Sequence, residues 1–313
     1  MEKDIIDIKE PKAVLKDINE ILDVLHNGFI ALAMDYNYYV DSVIFQGNEG
    51  KERIYQLRDN VIYRFKAAKF HLVLIMRERQ IIERRFTEIL NKDPNALNHY
   101  DSGRFEREQN EMMSIYDSII FHLSSAFDYL AMLINYNFSK KKGEPLKWIQ
   151  LAKSCRDNTN KYSTMLFAKT IDDCDRNFIS NFNAYRTELI HRQSSESFAR
   201  VFWKHNDYKT KFKFIVSKKL QKKFKKIVNV DSKNTISFLT YKLLINSLLV
   251  TCEILIDVGK EFKENHTVAE NIKRGAMAIG FFDPNSKTMK SISEGYWPGI
   301  IKGFNKLSKK HSE

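Results

Sequence analysis

Cysteine, proline and glycine are all scarce in this chain, at three, five and eleven among 313 residues. Cys155, Cys174 and Cys252 are odd in number and far apart, with no CxxC pair and no histidine at zinc-ligand spacing. That excludes a disulfide framework and a zinc motif, and no metal or other cofactor is expected. So little Gly and Pro leaves few turns, which disfavours many short strands and points to long helices. The Gly-rich phosphate loops of NTPases and dinucleotide folds have no counterpart. The opening MEKDIIDIKE lacks the basic start and apolar run of a secretory leader, so a cytoplasmic location is expected.

What the chain does have is apolar material: 43% hydrophobic and 12% aromatic residues fill a real core at this length. The most apolar stretch, Ile236 to Val258, is interrupted by Lys242, Asn246, Glu253 and Asp257, so it reads as a buried helix rather than a membrane span. The net charge is +12 and it is clustered. Between Lys204 and Lys226 ten lysines face the single acid Asp207. Lys209, Lys211, Lys213, Lys218, Lys219, Lys222 and Lys223 are the candidate RNA-phosphate contacts of that segment, with Trp203, Tyr208, Phe212, Phe214 and Phe224 available for base stacking. The same pattern also fits a core face with lysines guarding an edge strand.

Along the chain, Pro11 opens a helix whose face carries Val14, Ile18, Ile21, Leu22 and Leu25, with Asn27-Gly28 as its stop and a second apolar segment from Phe29 to Phe45. A long charged helix is expected from Glu49 to about Asn91, another from about Arg104 to Phe138 closed by Lys140 to Gly143, and a short one from Pro145 to about Arg156. Thr170 with Asp173 resembles a capping box, which starts a helix running to about Gln193, with Ser194 to Ser197 as the break. The period then changes to two. Ala199, Val201 and Trp203, then Phe212, Phe214 and Val216, alternate about Asn206-Asp207 as a β-hairpin. Ser217 caps a Lys-rich helix, a last long helix spans about Thr235 to Glu264, and a tail follows.

Within NFNAYRTELIHRQ, residues 181–193, Phe182, Tyr185 and Leu189 continue a stripe from Phe178, while Arg186 and His191 lie off it. At about 100° per residue His191 falls about 140° from Arg186, and the sector between holds Asn183, Thr187, Ile190 and Ser194. Histidine transfers protons near neutral pH, and a fixed guanidinium holds non-bridging oxygens as charge grows on phosphorus. The pair suits metal-free phosphodiester chemistry.

The Arg-x4-His spacing of YRTELIH, residues 185–191, on a late helix resembles the Rx4-6H signature of HEPN domains. IIFHLSSAFDYLAMLINYNF, residues 119–138, is similar to the first long helix of those domains, particularly the Cthe_2314-like group. The likeness covers about 105–264. It implies an all-α helical bundle with one inserted β-hairpin and a long helical N-terminal extension: 1–103 packing on the bundle, 104–264 the HEPN-like domain with its hairpin at about 198–216, and 265–313 a C-terminal tail. It also implies a metal-independent endoribonuclease of defence or toxin systems, with Arg186 and His191 catalytic, or else a member that binds RNA or protein without cutting. Arg64–His71 and Arg200–His205 satisfy the same spacing. The second falls on a strand, where an odd separation sends the two side chains to opposite faces, and the first ranks behind Arg186–His191.

Family members often carry Asn, Asp or His after the arginine, where this chain has Thr187. By the resemblance, Ser124, Ser125 and Asp128 orient Arg186 or contact RNA together with Asn183 and Thr187; by packing, small polar residues mark a close helix crossing. His122 reads as a packed or surface histidine. RNA is the expected partner, with an antitoxin or regulatory protein beside it and no membrane. Composite clefts are common in the family, so a homodimer is expected with Arg186 and His191 lining its groove.

Overall fold

The computed structural model describes residues 5–40, 48–93, 102–138, 146–191, 199–206, 209–265, 280–284 and 288–312. It is mostly helical, an all-α protein as the composition indicates. The long helices are α1 (Pro11–Asp35), α2 (Asn48–Lys92), α3 (Ser102–Phe138) and, late in the chain, α8 (Ile236–Asn265). Between α3 and α8 come α4 (Trp148–Arg156), α5 (Ala168–Cys174), α6 (Ser180–His191), the strands β2 (Ala199–Asn206) and β3 (Lys209–Val216), and the short α7 (Lys218–Lys223). The last helix is α9 (Trp297–Ser312). Two compact units are built from interleaved stretches: Met1–Leu15, Phe65–Ser124 and Phe178–Asn246 in one, Lys16–Arg64, Ser125–Asn177 and Ser247–Glu313 in the other.

The first unit holds the hairpin. Its register pairs Ala199 with Val216, Val201 with Phe214, Trp203 with Phe212 and Asn206 with Lys209; Asp207 and Tyr208 lie outside the described residues. Phe212, Phe214 and Val216 are buried, and the Phe212 ring stacks on Phe86 of α2 at 4.7 Å. The edge of β3 is closed by α2. The Phe212 N–H donates to Thr87 Oγ1 at 3.2 Å and the Phe214 N–H to Glu83 Oε1 at 3.0 Å, which removes the open ladder that edge lysines would otherwise guard. A strand with no strong sequence signal, β1 (Ile5–Ile6), pairs in parallel with β4 (Lys233–Asn234). Asp7 just beyond it accepts from Arg79 at 2.8 Å and from Thr235 Oγ1 at 2.9 Å, and these bonds hold its carboxyl below the ordinary value against the opposing effect of burial.

In the second unit, α1 does not stop at Asn27-Gly28. The glycine is a packing residue: a Cβ on it would meet Leu255 Cδ1 at 3.4 Å, and the helix continues through it to Asp35 before a π-turn at Tyr36–Val40. Residues 41–45 of the expected second segment lie outside the described residues. The capping box at Thr170 is absent too. Helix α5 begins at Ala168, and Thr170 Oγ1 instead donates to Asp257 Oδ2 at 2.7 Å. A π-turn at Asp175–Ile179 then joins α5 to α6. Helix α4 begins at Trp148; Pro145, Lys140–Gly143 and Ser194–Ser197 lie outside the described residues. The segment read as a tail contains a hairpin, β5 (Gly280–Asp283) with β6 (Thr288–Ser291), and the 16-residue α9.

Among the described residues two helices, α3 over Glu106–Phe138 and α8, are long and apolar enough to cross a membrane, and most of each apolar stretch is buried in the fold. Several polar residues of α8 find partners. Thr240 and Thr251 donate to carbonyls one turn back, Asn246 Nδ2 donates to the Lys242 carbonyl at 2.7 Å, and Asp257 accepts from Thr170 and Lys260. Burial pushes the Glu253 carboxyl up and the Lys242 ammonium down.

Candidate functional site

Helix α6 is fixed to α3 within the first unit by three contacts. Tyr185, fully buried with its ring edge-on to Tyr116, donates its hydroxyl to Asp117 Oδ1 at 2.9 Å. Ser124 Oγ donates to Asn183 Oδ1 at 2.8 Å. Between these two bonds the guanidinium of Arg186 lies over the ring of Phe121, with Cζ 4.9 Å from its centroid. Burial raises the Tyr185 phenol far above its ordinary range and also pushes Asp117 up, an effect the bond from Tyr185 opposes. The stripe of Phe178, Phe182 and Tyr185 is core, as the periodicity requires.

Arg186 is therefore half-buried and held by geometry on both sides. Three of the residues named beside it from sequence meet here. Asn183 and Ser124 are bonded to each other, and Asn183 Nδ2 is buried without a hydrogen-bond partner among the described groups. Thr187 is exposed, with its hydroxyl turned back to the Asn183 carbonyl at 2.9 Å. The other two belong to the second unit. Ser125 is buried in the other unit, and Asp128, also there, accepts the Trp148 backbone N–H at 3.1 Å and so satisfies a donor at the start of α4. Asp128 is thereby explained by capping. His191 is the last residue of α6; its side chain, like those of Leu189 and Ile190, lies outside the described residues.

What sequence reasoning missed is the company Arg186 keeps. His122 follows Phe121 on α3, and its ring centroid is 5.2 Å from that of His71 on α2, the planes tilted by 34°. Phe70 lies edge-on to His71 at 5.6 Å and is 60% exposed; Phe121 is 42% exposed. A signal existed. The tripeptide Phe-His-Leu occurs twice, at 70–72 and 121–123, and both leucines are fully buried. Each anchors its helix so that the preceding Phe-His pair stands at the surface, and the two pairs meet.

The lysine segment is less free than its charge suggests. Lys213 bonds Glu83 at 2.7 Å and lies 3.5 Å from Asp7, while Lys223 pairs with Glu188 at 2.6 Å. Both serve the fold. Lys218, Lys219 and Lys222 on α7, which Ser217 caps by accepting from Leu220 N–H, are exposed, as are Lys225 and Lys226. The side chains of Lys209, Lys211, Trp203 and Tyr208 lie outside the described residues, and Phe212, Phe214 and Phe224 are buried, which removes these three as stacking platforms. Among the described residues no group of three or more His, Cys, Asp or Glu is placed to hold a metal ion. No protein-family model matches the chain, and no curated protein or solved structure matches it.

Proposed function

We propose that the protein is a metal-independent endoribonuclease of HEPN type, acting on RNA in the cytoplasm in a defence or toxin setting. The observation that carries this reading is the fixed guanidinium of Arg186, seated on Phe121 beside an imidazole pair and on the helix that ends in His191. In this reading Arg186 holds the non-bridging oxygens of a phosphodiester, the 2′-hydroxyl attacks phosphorus, and His191 transfers protons. The O5′–P bond breaks, leaving a 2′,3′-cyclic phosphate and a 5′-hydroxyl. The test is cleavage of mixed cellular RNA in excess EDTA. Wild type is expected to cut, and Arg186→Ala and His191→Ala to lose about 10²–10³ of the rate. Variants that cut as fast as wild type would remove the assigned site.

A second reading, RNA binding without cleavage, is favoured by the exposed lysine face of α7. If Lys218, Lys219 and Lys222 contact phosphates, the logarithm of affinity falls with the logarithm of salt by about 0.7 per contact on single strands. Substituting the three by Gln is expected to flatten that slope by about 2. An unchanged slope would return these lysines to the role of a solvated face. Binding by a wild type that cuts nothing would make this second reading the better one.

A further inference from the structure

The two Phe-His pairs and Arg186 form one continuous surface of the first unit, made by α2, α3 and α6. The chemistry of its imidazoles is set by one bond. His71 Nδ1 lies 2.9 Å from the carbonyl oxygen of Ala67, one turn back on α2. A carbonyl only accepts, so Nδ1 carries the hydrogen, and in the neutral ring the lone pair is on Nε2. The ring of His71 is thus oriented from behind by the backbone, and that of His122 packs against it at 5.2 Å and against Phe121 at 5.9 Å. The other face of this arrangement is Arg186, whose guanidinium rests on the same Phe121 ring.

We propose that His122 is a further catalytic residue of the site, transferring a proton to or from the phosphodiester held by Arg186, and that His71 is the positioning residue that orients it. This rests on the ribonuclease reading. The step balances within the chain. His122 takes the proton of the 2′-hydroxyl as the O2′–P bond forms, His191 gives a proton to O5′ as the O5′–P bond breaks, and both rings return to their starting states by exchange with water. Arg186 and His122 on one surface then supply charge stabilisation and the base of an in-line displacement, and the acid is the His191 of the ribonuclease reading. The exposed rings of Phe70 and Phe121 flank the imidazoles where the bases on either side of the scissile bond lie.

The experiment compares wild type, Arg186→Ala, His122→Ala, His122→Gln, His71→Ala and His71→Asn by kcat and KM on a short RNA, across pH, with circular dichroism to confirm folding. Both His122 variants are expected to lose about 10²–10⁴ in kcat with little change in KM, and to lose one limb of the pH–rate profile. Added imidazole is expected to restore part of the rate of His122→Ala, which it does not do for a residue that only packs. His71→Ala is expected to lower kcat by about tenfold at unchanged KM, because it leaves the proton-transfer ring in place but unoriented. His71→Asn, which keeps a donor for the Ala67 carbonyl, is expected to regain part of that loss. A folded His122→Ala or His122→Gln that keeps the wild-type kcat while Arg186→Ala is dead overturns this assignment alone. A wild type that cuts no RNA overturns the ribonuclease reading and this assignment together.

Discussion

Between pH 4 and pH 7 the wild-type protein is expected to lose about 2 kcal/mol of stability relative to its Asp35→Asn variant, read from denaturant or thermal unfolding of both at several pH values. Asp35 ends α1 and is almost completely buried. Burial pushes its carboxyl from the ordinary 3.8 up to about 6, although Ser293 and Trp297 donate to it and resist the rise. Since the folded state binds this proton more tightly than the unfolded chain, the contribution is full below about pH 4 and is lost as pH rises through about 6. The hydrogen bonds explain how the proton is accommodated. Trp297 Nε1 donates to Asp35 Oδ2 at 2.8 Å, and the single hydroxyl hydrogen of Ser293 is shared between Asp35 Oδ1 and Ser291 Oγ. When Asp35 is protonated, its own hydrogen goes to Ser293 Oγ and the serine hydrogen is released to Ser291. The Trp297 indole cannot shift to relieve the buried charge, because it fills the space above Gly259, where even a Cβ would come within 2.4 Å of the ring. Parallel pH curves for the two proteins would show that Asp35 is not the titrating group.

The parts of this fold that were legible in the sequence are those fixed by local chemistry. The hairpin was legible because alternation and Asn206-Asp207 set both period and register, and α7 because Ser217 supplies a cap. Gly28 misled because a glycine permits a turn but equally permits close packing, and only the position of Leu255 decides between them. Thr170 misled in the same way, since its hydroxyl takes a carboxylate 87 residues away rather than the backbone three residues on. For the site, the helical stripe correctly separated Tyr185 from Arg186. The meeting of His71 with His122 was hidden, because nothing in a single helix period reports which faces of α2 and α3 touch. Charge counting likewise could not see that Glu83 and Glu188 each take a lysine out of the basic run.

Specific activity is expected to collapse when the protein is diluted below its dimer dissociation constant, and size-exclusion chromatography with light scattering is expected to give a homodimer above it. Each chain brings one guanidinium to the proposed cleft, while the transition state of phosphoryl transfer spreads charge over several non-bridging oxygens. Arg186 approaches them from one side, because its guanidinium lies over the Phe121 ring and the bonds of Asn183 and Tyr185, in the turn before it, hold α6 to α3. A two-fold axis beside α6 would bring a second Arg186 to face the first across the cleft and leave Phe70 and Phe121 open to the RNA. The second guanidinium is worth about 10²–10³ in rate if it binds the oxygens the first does not, so the monomer would be slower by that factor even with both of its own histidines in place. Mixing wild type with excess Arg186→Ala should then poison the wild-type subunits in proportion to heterodimer formed. A monomer with undiminished specific activity, or a mixture whose activity equals that of its wild-type fraction, would sink the composite cleft and leave a site complete within one chain.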